Sequence, residues 1–81
     1  MAPKLKTLSG TDVVHILESF GFGIYNQKSS HIKLRRVSAG VKETLIIPNH
    51  KVIARGTLKA IINQASAYIR YTDLHSHFYT D

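Results

Sequence analysis

The fold of this chain is decided by one alternating stretch in its middle, His31-Ile32-Lys33-Leu34-Arg35-Arg36-Val37. Polar and apolar residues alternate over its first five positions, which is the pattern of a β-strand with one buried and one solvated face. Ile32 and Leu34 are therefore predicted to face a core. His31, Lys33 and Arg35 then form a row on the polar face, in which neighbours stand about 7 Å apart.

Two more segments with strand character flank this stretch, one before it and one after it, at residues 22–27 and 42–47. Alternation in the earlier segment predicts that Phe22 and Ile24 face one side of the strand and that Tyr25 and Gln27 face the other. Pro48 ends the later segment, because proline cannot donate to a strand ladder.

Tight turns join the three strands. Lys28-Ser29-Ser30 and Ser38-Ala39-Gly40 have the small and polar composition of such turns. Strands joined by turns this short pair with their neighbours, so the sequence predicts a three-stranded antiparallel meander. One face of this sheet is expected to be apolar and the other polar.

A helix is predicted on each side of the strand region. Ser9 and Asp12 are typical of a helix start, and the apolar stripe that follows places the first helix at about residues 10–20. Gly21 is the expected C-terminal cap, since glycine tolerates a left-handed conformation. A second helix is expected to open at Gly56-Thr57 and to continue to about Arg70.

The element order predicts an α+β fold of two layers, in which both helices cover one face of the three-stranded antiparallel sheet. We expect a single domain over residues 1–81. Its first eight residues are a short basic lead-in, and its tail at 72–81 has no periodicity from which a structure could be predicted.

Composition narrows the possible functions. The chain has 81 residues, a formal net charge of +6 and no cysteine. Its length excludes a second domain or a dinucleotide-binding unit, and the lack of cysteine excludes disulfides and thiolate metal sites. No apolar run approaches the ~18 residues that span a bilayer, and no secretory signal follows the N-terminal lysines, so we expect a cytoplasmic protein without a membrane partner. The positive charge favours an anionic partner.

The polar row of the middle strand is the first candidate site. His31 would stand there beside the permanent cations Lys33 and Arg35, with Lys28 in the adjoining turn. A phosphodiester held by these cations would place its neighbouring atoms near the imidazole, and histidine is the side chain best suited to move a proton at neutral pH. The alternative is a solvated strand face without a ligand.

The start of the second helix is the next candidate. Gly56 and Thr57 could offer free backbone amides to an anion, flanked by Arg55 and Lys59. Ordinary capping by Thr57 is the alternative. His50 follows Pro48 in the preceding loop and could supply a second proton-transfer group or a phosphate contact.

Three further residues receive a weaker interpretation. His75 and His77 would face the same way on a strand, but no third ligand at a fixed spacing accompanies them, so we predict no metal site and no cofactor. Tyr25 could stack on a base, although cross-strand packing is the simpler role.

Four short motifs connect the chain to a known family: Ser9-Gly10 with the helix to Gly21-Phe22, Gln27-Lys28-Ser29-Ser30-His31, Ile47-Pro48-Asn49-His50, and Gly56-Thr57-Leu58-Lys59-Ala60-Ile61. Over residues 8–66 the sequence resembles the HicA-type toxins, the small mRNA interferases of toxin–antitoxin pairs. The motifs are similar to the family's opening, its Gln-Lys-Gly-Ser-His signature, its Val-Pro-x-His segment and its Gly-Thr-Leu-x-x-Ile helix start.

This resemblance implies a double-stranded-RNA-binding-domain-like fold and a metal-independent endoribonuclease that cleaves mRNA. It implies that the catalytic histidine is His31 and that a HicB-type antitoxin is the protein partner. The expected contacts to RNA phosphates are Lys28, Ser30, Lys33, Arg35, His50, Arg55, Thr57 and Lys59. Ser29 replaces the signature glycine, which puts the turn before His31, and with it the activity, in question.

Two other functions remain open from the sequence. A non-catalytic RNA-binding module of the same fold would bind RNA with a steep salt dependence and would not need His31. A purely protein-binding element would use the basic face for an acidic partner and would have no affinity for RNA. The oligomeric state is not predicted.

Overall fold

The computed structural model describes residues 2–80. Eight elements follow one another along the chain: β1 (Lys4–Leu5), α1 (Gly10–Glu18), β2 (Gly23–Lys28), β3 (His31–Ser38), β4 (Val41–Pro48), α2 (Arg55–Ala65), α3 (Tyr71–Phe78) and β5 (Tyr79–Thr80). The three long strands form an antiparallel sheet in the order β2-β3-β4, and α1 and α2 both pack against β4. The predicted α+β class and three-stranded meander are confirmed.

The alternation of β3 has the predicted consequence. Ile32 and Leu34 are 4% and 0% exposed, and they join the side chains of both helices in one core. The register places His31 opposite Pro48 and Lys33 opposite Ile46. The outer face of the sheet therefore carries His31, Lys33 and Arg35, as the sequence predicts.

The alternation of β2 is interrupted, and one predicted side-chain direction is wrong. The register between β2 and β3 shifts between Ile24 and Asn26, so Tyr25 is an extra residue in a β-bulge. Beyond the bulge Gln27 pairs with the core residue Ile32 and lies on the helix-facing side, although strict alternation had placed it with Tyr25. A bulge adds one residue to one strand and inverts the pattern that follows.

Both connections in the sheet are two-residue hairpin loops. Ser29-Ser30 joins β2 to β3, and Ser29 has a φ of +57°. Ala39 and Gly40 join β3 to β4, both with positive φ. Ser29 thus occupies a backbone region in which glycine carries no steric penalty.

The first helix begins where the sequence predicts, but it ends at Glu18, two residues before the predicted end, and its C-cap is Ser19 instead of Gly21. Ser9 caps α1, its side chain accepts from the Asp12 amide at 3.0 Å, and the Asp12 carboxylate accepts from the Ser9 amide at 2.9 Å. These bonds from Ser9 lower the pKa of Asp12 below its ordinary value. Gly21, with φ +95°, follows the helix.

The second helix is shorter than predicted. It begins at Arg55, capped by the backbone of Ala54 without a side-chain bond, so Thr57 is not its cap. It ends at Ala65 instead of Arg70. The Tyr68 carbonyl accepts from Arg36 Nη2 at 2.9 Å, and the Arg70 carbonyl accepts the amides of a new helix, α3.

The two chain ends, for which the sequence makes no structural prediction, complete the core. Leu74 and Phe78 of α3 are fully buried and Leu5 is 7% exposed. β1 pairs with β5 antiparallel, Lys4 opposite Thr80. Within residues 2–80 no helix is long and apolar enough to cross a membrane.

Candidate active site

A groove of about 500 Å³ opens on the outer face of the sheet, at the end where β2 turns into β3. The residues that line it come from all three strands and the hairpin loop: Asn26, Lys28, Ser29, His31, Lys33 and Ile46. None of these six residues is acidic. The groove therefore combines two lysines with one histidine and has the charge that suits an anion.

His31 is held at the first position of β3. Its register partners are Lys28 on one side and Pro48 on the other. The next residue, Ile32, is buried and fixes the direction in which the strand presents its polar face. The imidazole is exposed, so a ligand in the groove can reach it.

Arg35 continues the row beyond the groove. Its guanidinium carbon lies 3.9 Å from the centroid of the Tyr25 ring, which the β-bulge adds to the outer face. Among the described residues, the buried Arg35 Nε has no hydrogen-bond partner. The guanidinium thus contacts the ring face, and within residues 2–80 no carboxylate forms a salt bridge with it.

Arg36, one residue further, has a structural role that the sequence reasoning missed. Its Nε donates to Glu43 at 2.6 Å, and its Nη1 and Nη2 donate to the carbonyls of Phe20 and Tyr68 at 2.9 Å each. It thereby joins β4 to the segments that follow both long helices. Its position two residues beyond Leu34, on the core-facing side, is the signal that separates it from Arg35.

Besides Arg35, five more of the predicted contact residues lie outside the lining of this groove. The backbone carbonyl of Ser30 accepts a hydrogen bond from the backbone N–H of Asn49 at 2.6 Å, which joins the hairpin loop to the loop after β4. The other four residues, all exposed, are His50, Arg55, Thr57 and Lys59. His50 follows β4, and its carbonyl accepts from the Gly10 amide at 2.9 Å, which ties the loop to the start of α1.

The histidine pair of the tail is separated. His75 and His77 lie in α3, where His75 stacks on Tyr79 with ring centroids 4.5 Å apart and His77 meets Phe20 edge-on at 5.3 Å. The strand on which both would face the same way does not form. Over residues 2–80 no three histidine or acidic side chains are grouped so that they could hold a metal.

Asn26, Ser29 and Ile46 line the groove although the sequence reasoning did not select them. Asn26 and Ile46 are the register partners of Lys33 in β2 and β4. Once the register is known, Asn26 and Ile46 can be identified as the cross-strand neighbours of the polar row.

Comparisons with curated proteins and with solved structures find no significant match. A family model does match: the HicA toxin of bacterial toxin–antitoxin systems, over residues 10–67. The matched segment contains α1, the whole three-stranded sheet and α2, and with them every residue of the groove. The chain therefore belongs to the HicA toxin family.

Proposed function

We propose that this toxin is an endoribonuclease that cleaves mRNA without a metal ion, with His31 as its single catalytic histidine. The observation that carries the proposal is the position of His31 in a groove beside Lys28 and Lys33. A phosphodiester suits this arrangement, because the lysines can bind its negative charge while the histidine transfers a proton during its cleavage. Cleavage of mRNA would restrain translation, which fits a toxin.

In the proposed reaction the RNA supplies its own nucleophile. His31 takes the proton of a ribose 2′-hydroxyl, the 2′-oxygen attacks the adjacent phosphorus, and the bond from phosphorus to the 5′-oxygen breaks. The products are a 2′,3′-cyclic phosphate and a 5′-hydroxyl. The leaving oxygen receives a proton from solvent, which the open groove admits.

Cations of the outer face stabilise the charge that develops on phosphorus. Lys28 of β2 lies opposite His31, Lys33 lies two residues along β3 from it, and Arg35 extends the row toward the next phosphate. Removal of one such group commonly costs about 10²–10³ in rate in a closed site, and less in an exposed one.

The predicted contacts outside the groove would bind RNA away from the cut. We propose this role for Ser30, His50, Arg55, Thr57 and Lys59, all of which lie beyond the lining. The protein partner we propose is a HicB-type antitoxin that neutralises the toxin in the cytoplasm.

A second candidate function is an RNA-binding module that does not cut. It is favoured by Ser29, which stands at φ +57° where the family signature has glycine. The strained turn directly precedes His31 and could misplace it.

The test is cleavage of an end-labelled transcript in EDTA by the unaltered chain, by His31→Ala and by His75→Ala. His75 is a matched control, because it lies in α3, outside the groove and the matched family segment. We expect cleavage by the unaltered chain and by His75→Ala, and a loss of at least 100-fold in His31→Ala. Normal cleavage by His31→Ala, or binding without cleavage by the unaltered chain, would refute the proposed activity.

A further inference from the structure

A second groove, of about 220 Å³, lies on the other side of the β2 edge, between β2 and α1. Its walls come from α1, β2, the start of β3 and the loop after β4: Thr11, Val14, His15, Glu18, Ile24, Gln27, Ile32 and Asn49. This volume is below the range of about 300–1,000 Å³ typical of drug-sized ligands, so it suits one ring system.

The groove has an apolar floor, and the polar side chains around it are free to bind a ligand. Val14 and Ile32 are buried core residues that present one side to the groove. The amides of Gln27 and Asn49 and the carboxylate of Glu18 form no side-chain hydrogen bond within residues 2–80. Apolar walls with a few convergent polar groups are characteristic of a ligand site.

The two grooves meet at the same hairpin. Gln27 lines the second groove and its neighbour Lys28 lines the groove of His31. The β-bulge causes this arrangement, because without the extra residue Tyr25 the side chain of Gln27 would face the other way. The backbone of Asn49 is held at the same hairpin, because its main-chain N–H donates to the Ser30 carbonyl.

We propose that the second groove holds one unstacked nucleobase of the RNA that is cut at His31, and that Gln27 and Asn49 read its edge. The inference rests on the proposed function, since it names how that substrate is selected. Single-stranded RNA is recognised through splayed bases that hydrogen-bond to such side chains. A strand that passes over the β2 edge would place its phosphate at Lys28 and a neighbouring base beside Gln27.

The polar groups favour a base that carries an amino group. A Gln or Asn amide forms a bidentate pair with adenine, and a carboxylate such as Glu18 accepts from an exocyclic amine. Uracil has no amino group and would leave that carboxylate without a partner. Adenine is therefore the expected preference and uracil the poorest ligand.

The experiment measures binding by fluorescence anisotropy, with His31→Ala protein so that RNA stays intact. Hexamers of adenylate, cytidylate and uridylate are compared in this background and after a further Gln27→Leu or Gln64→Leu change. Gln64 is the matched control, an exposed residue of α2 outside both grooves. Asn49→Ala provides an independent second variant, and thermal melts verify that each variant is folded.

The expected result is that the adenylate hexamer binds about tenfold or more tightly than the uridylate hexamer, as one good bidentate pair allows. Gln27→Leu and Asn49→Ala should each bring the two affinities closer, and Gln64→Leu should leave their ratio unchanged. Equal affinities at the start, a ratio that survives both changes, or no binding to any hexamer overturns the base site.

Failure of this inference is separable from failure of the proposed nuclease. If the unaltered chain cuts RNA and its base preference does not depend on Gln27, the base site is refuted and the proposed nuclease activity is supported. Base selectivity that depends on Gln27 in a chain that does not cut RNA does the opposite.

Discussion

Lys28 is the register partner of His31 across the two-residue Ser29-Ser30 loop, so a permanent cation stands directly beside the imidazole. Directly opposed residues on neighbouring antiparallel strands have Cβ atoms about 4.5–5.5 Å apart. A phosphate bound between the two side chains can therefore contact both His31 and Lys28.

Lys28→Ala and Lys33→Ala should each slow RNA cleavage by about tenfold or more, because each removes a cation from the developing negative charge. The measurement is single-turnover cleavage of a short RNA. Lys51→Ala is the control, since Lys51 is an exposed loop residue outside the groove, and its rate should be nearly unchanged. Equal slowing by all three changes would indicate a general effect of charge.

His50→Ala should reduce the cleavage rate by less than about tenfold, since a positioned general acid contributes about 10²–10⁴ and His50 lies outside the groove lining. The same single-turnover assay measures this, with His31→Ala as the reference for full loss. A 100-fold loss in a folded His50→Ala protein would instead identify His50 as the acid that protonates the leaving oxygen.

Ser29→Gly should stabilise the fold by up to about 1 kcal/mol. A left-handed conformation costs a residue with a side chain about 1–2 kcal/mol, and the greater entropy of unfolded glycine offsets part of the gain. Urea titration measures the change. Ser30→Gly, at a position without positive φ, should destabilise the fold, and a gain of equal size there would contradict the explanation.

Phe78→Ala should destabilise the fold by about 3–5 kcal/mol, since Phe78 is fully buried in the core although it lies beyond the matched family segment. Tyr71→Ala, in the same helix but 50% exposed, should cost about 1 kcal/mol or less. Denaturant unfolding distinguishes the two. Similar small losses would mean that α3 is a dispensable addition.

Asp12→Asn should lower stability at neutral pH and have little effect in acid. The folded pKa of Asp12 lies below its unfolded value because Ser9 donates to its carboxylate. The bond therefore stabilises the fold above the ordinary carboxyl pKa of 3.8 and is lost as the pH falls through the depressed folded value. Unfolding at about pH 7 and about pH 2 tests this: a difference between the two proteins that persists in acid would contradict it.

The sequence predicted the polar row His31, Lys33 and Arg35 of β3, because a period of two assigns faces without knowledge of the partner strands. It could not predict the bulge at Tyr25, since one extra residue leaves no mark on the pattern until the register with β3 is known. Gln27 was misplaced for this reason.

The end of α2 and the state of the tail depend on tertiary contacts. Arg36 of β3 donates a hydrogen bond to the Tyr68 carbonyl. Leu74 and Phe78 pack in a core whose other residues lie far away along the chain. Apolar periodicity alone continued the helix through this break. The separation of His50 from the groove likewise follows from a loop that is bonded to α1.

The central claim is that the RNA supplies the nucleophile and His31 activates it. Its most direct test is an RNA oligonucleotide cut by the protein in EDTA, compared with the same oligonucleotide carrying one 2′-deoxynucleotide at the mapped cut site. We predict that this bond alone becomes resistant, that the unmodified RNA yields a 2′,3′-cyclic phosphate end, and that His31→Ala cuts neither oligonucleotide. Cleavage at the deoxy position, or equal cleavage by His31→Ala, would contradict it.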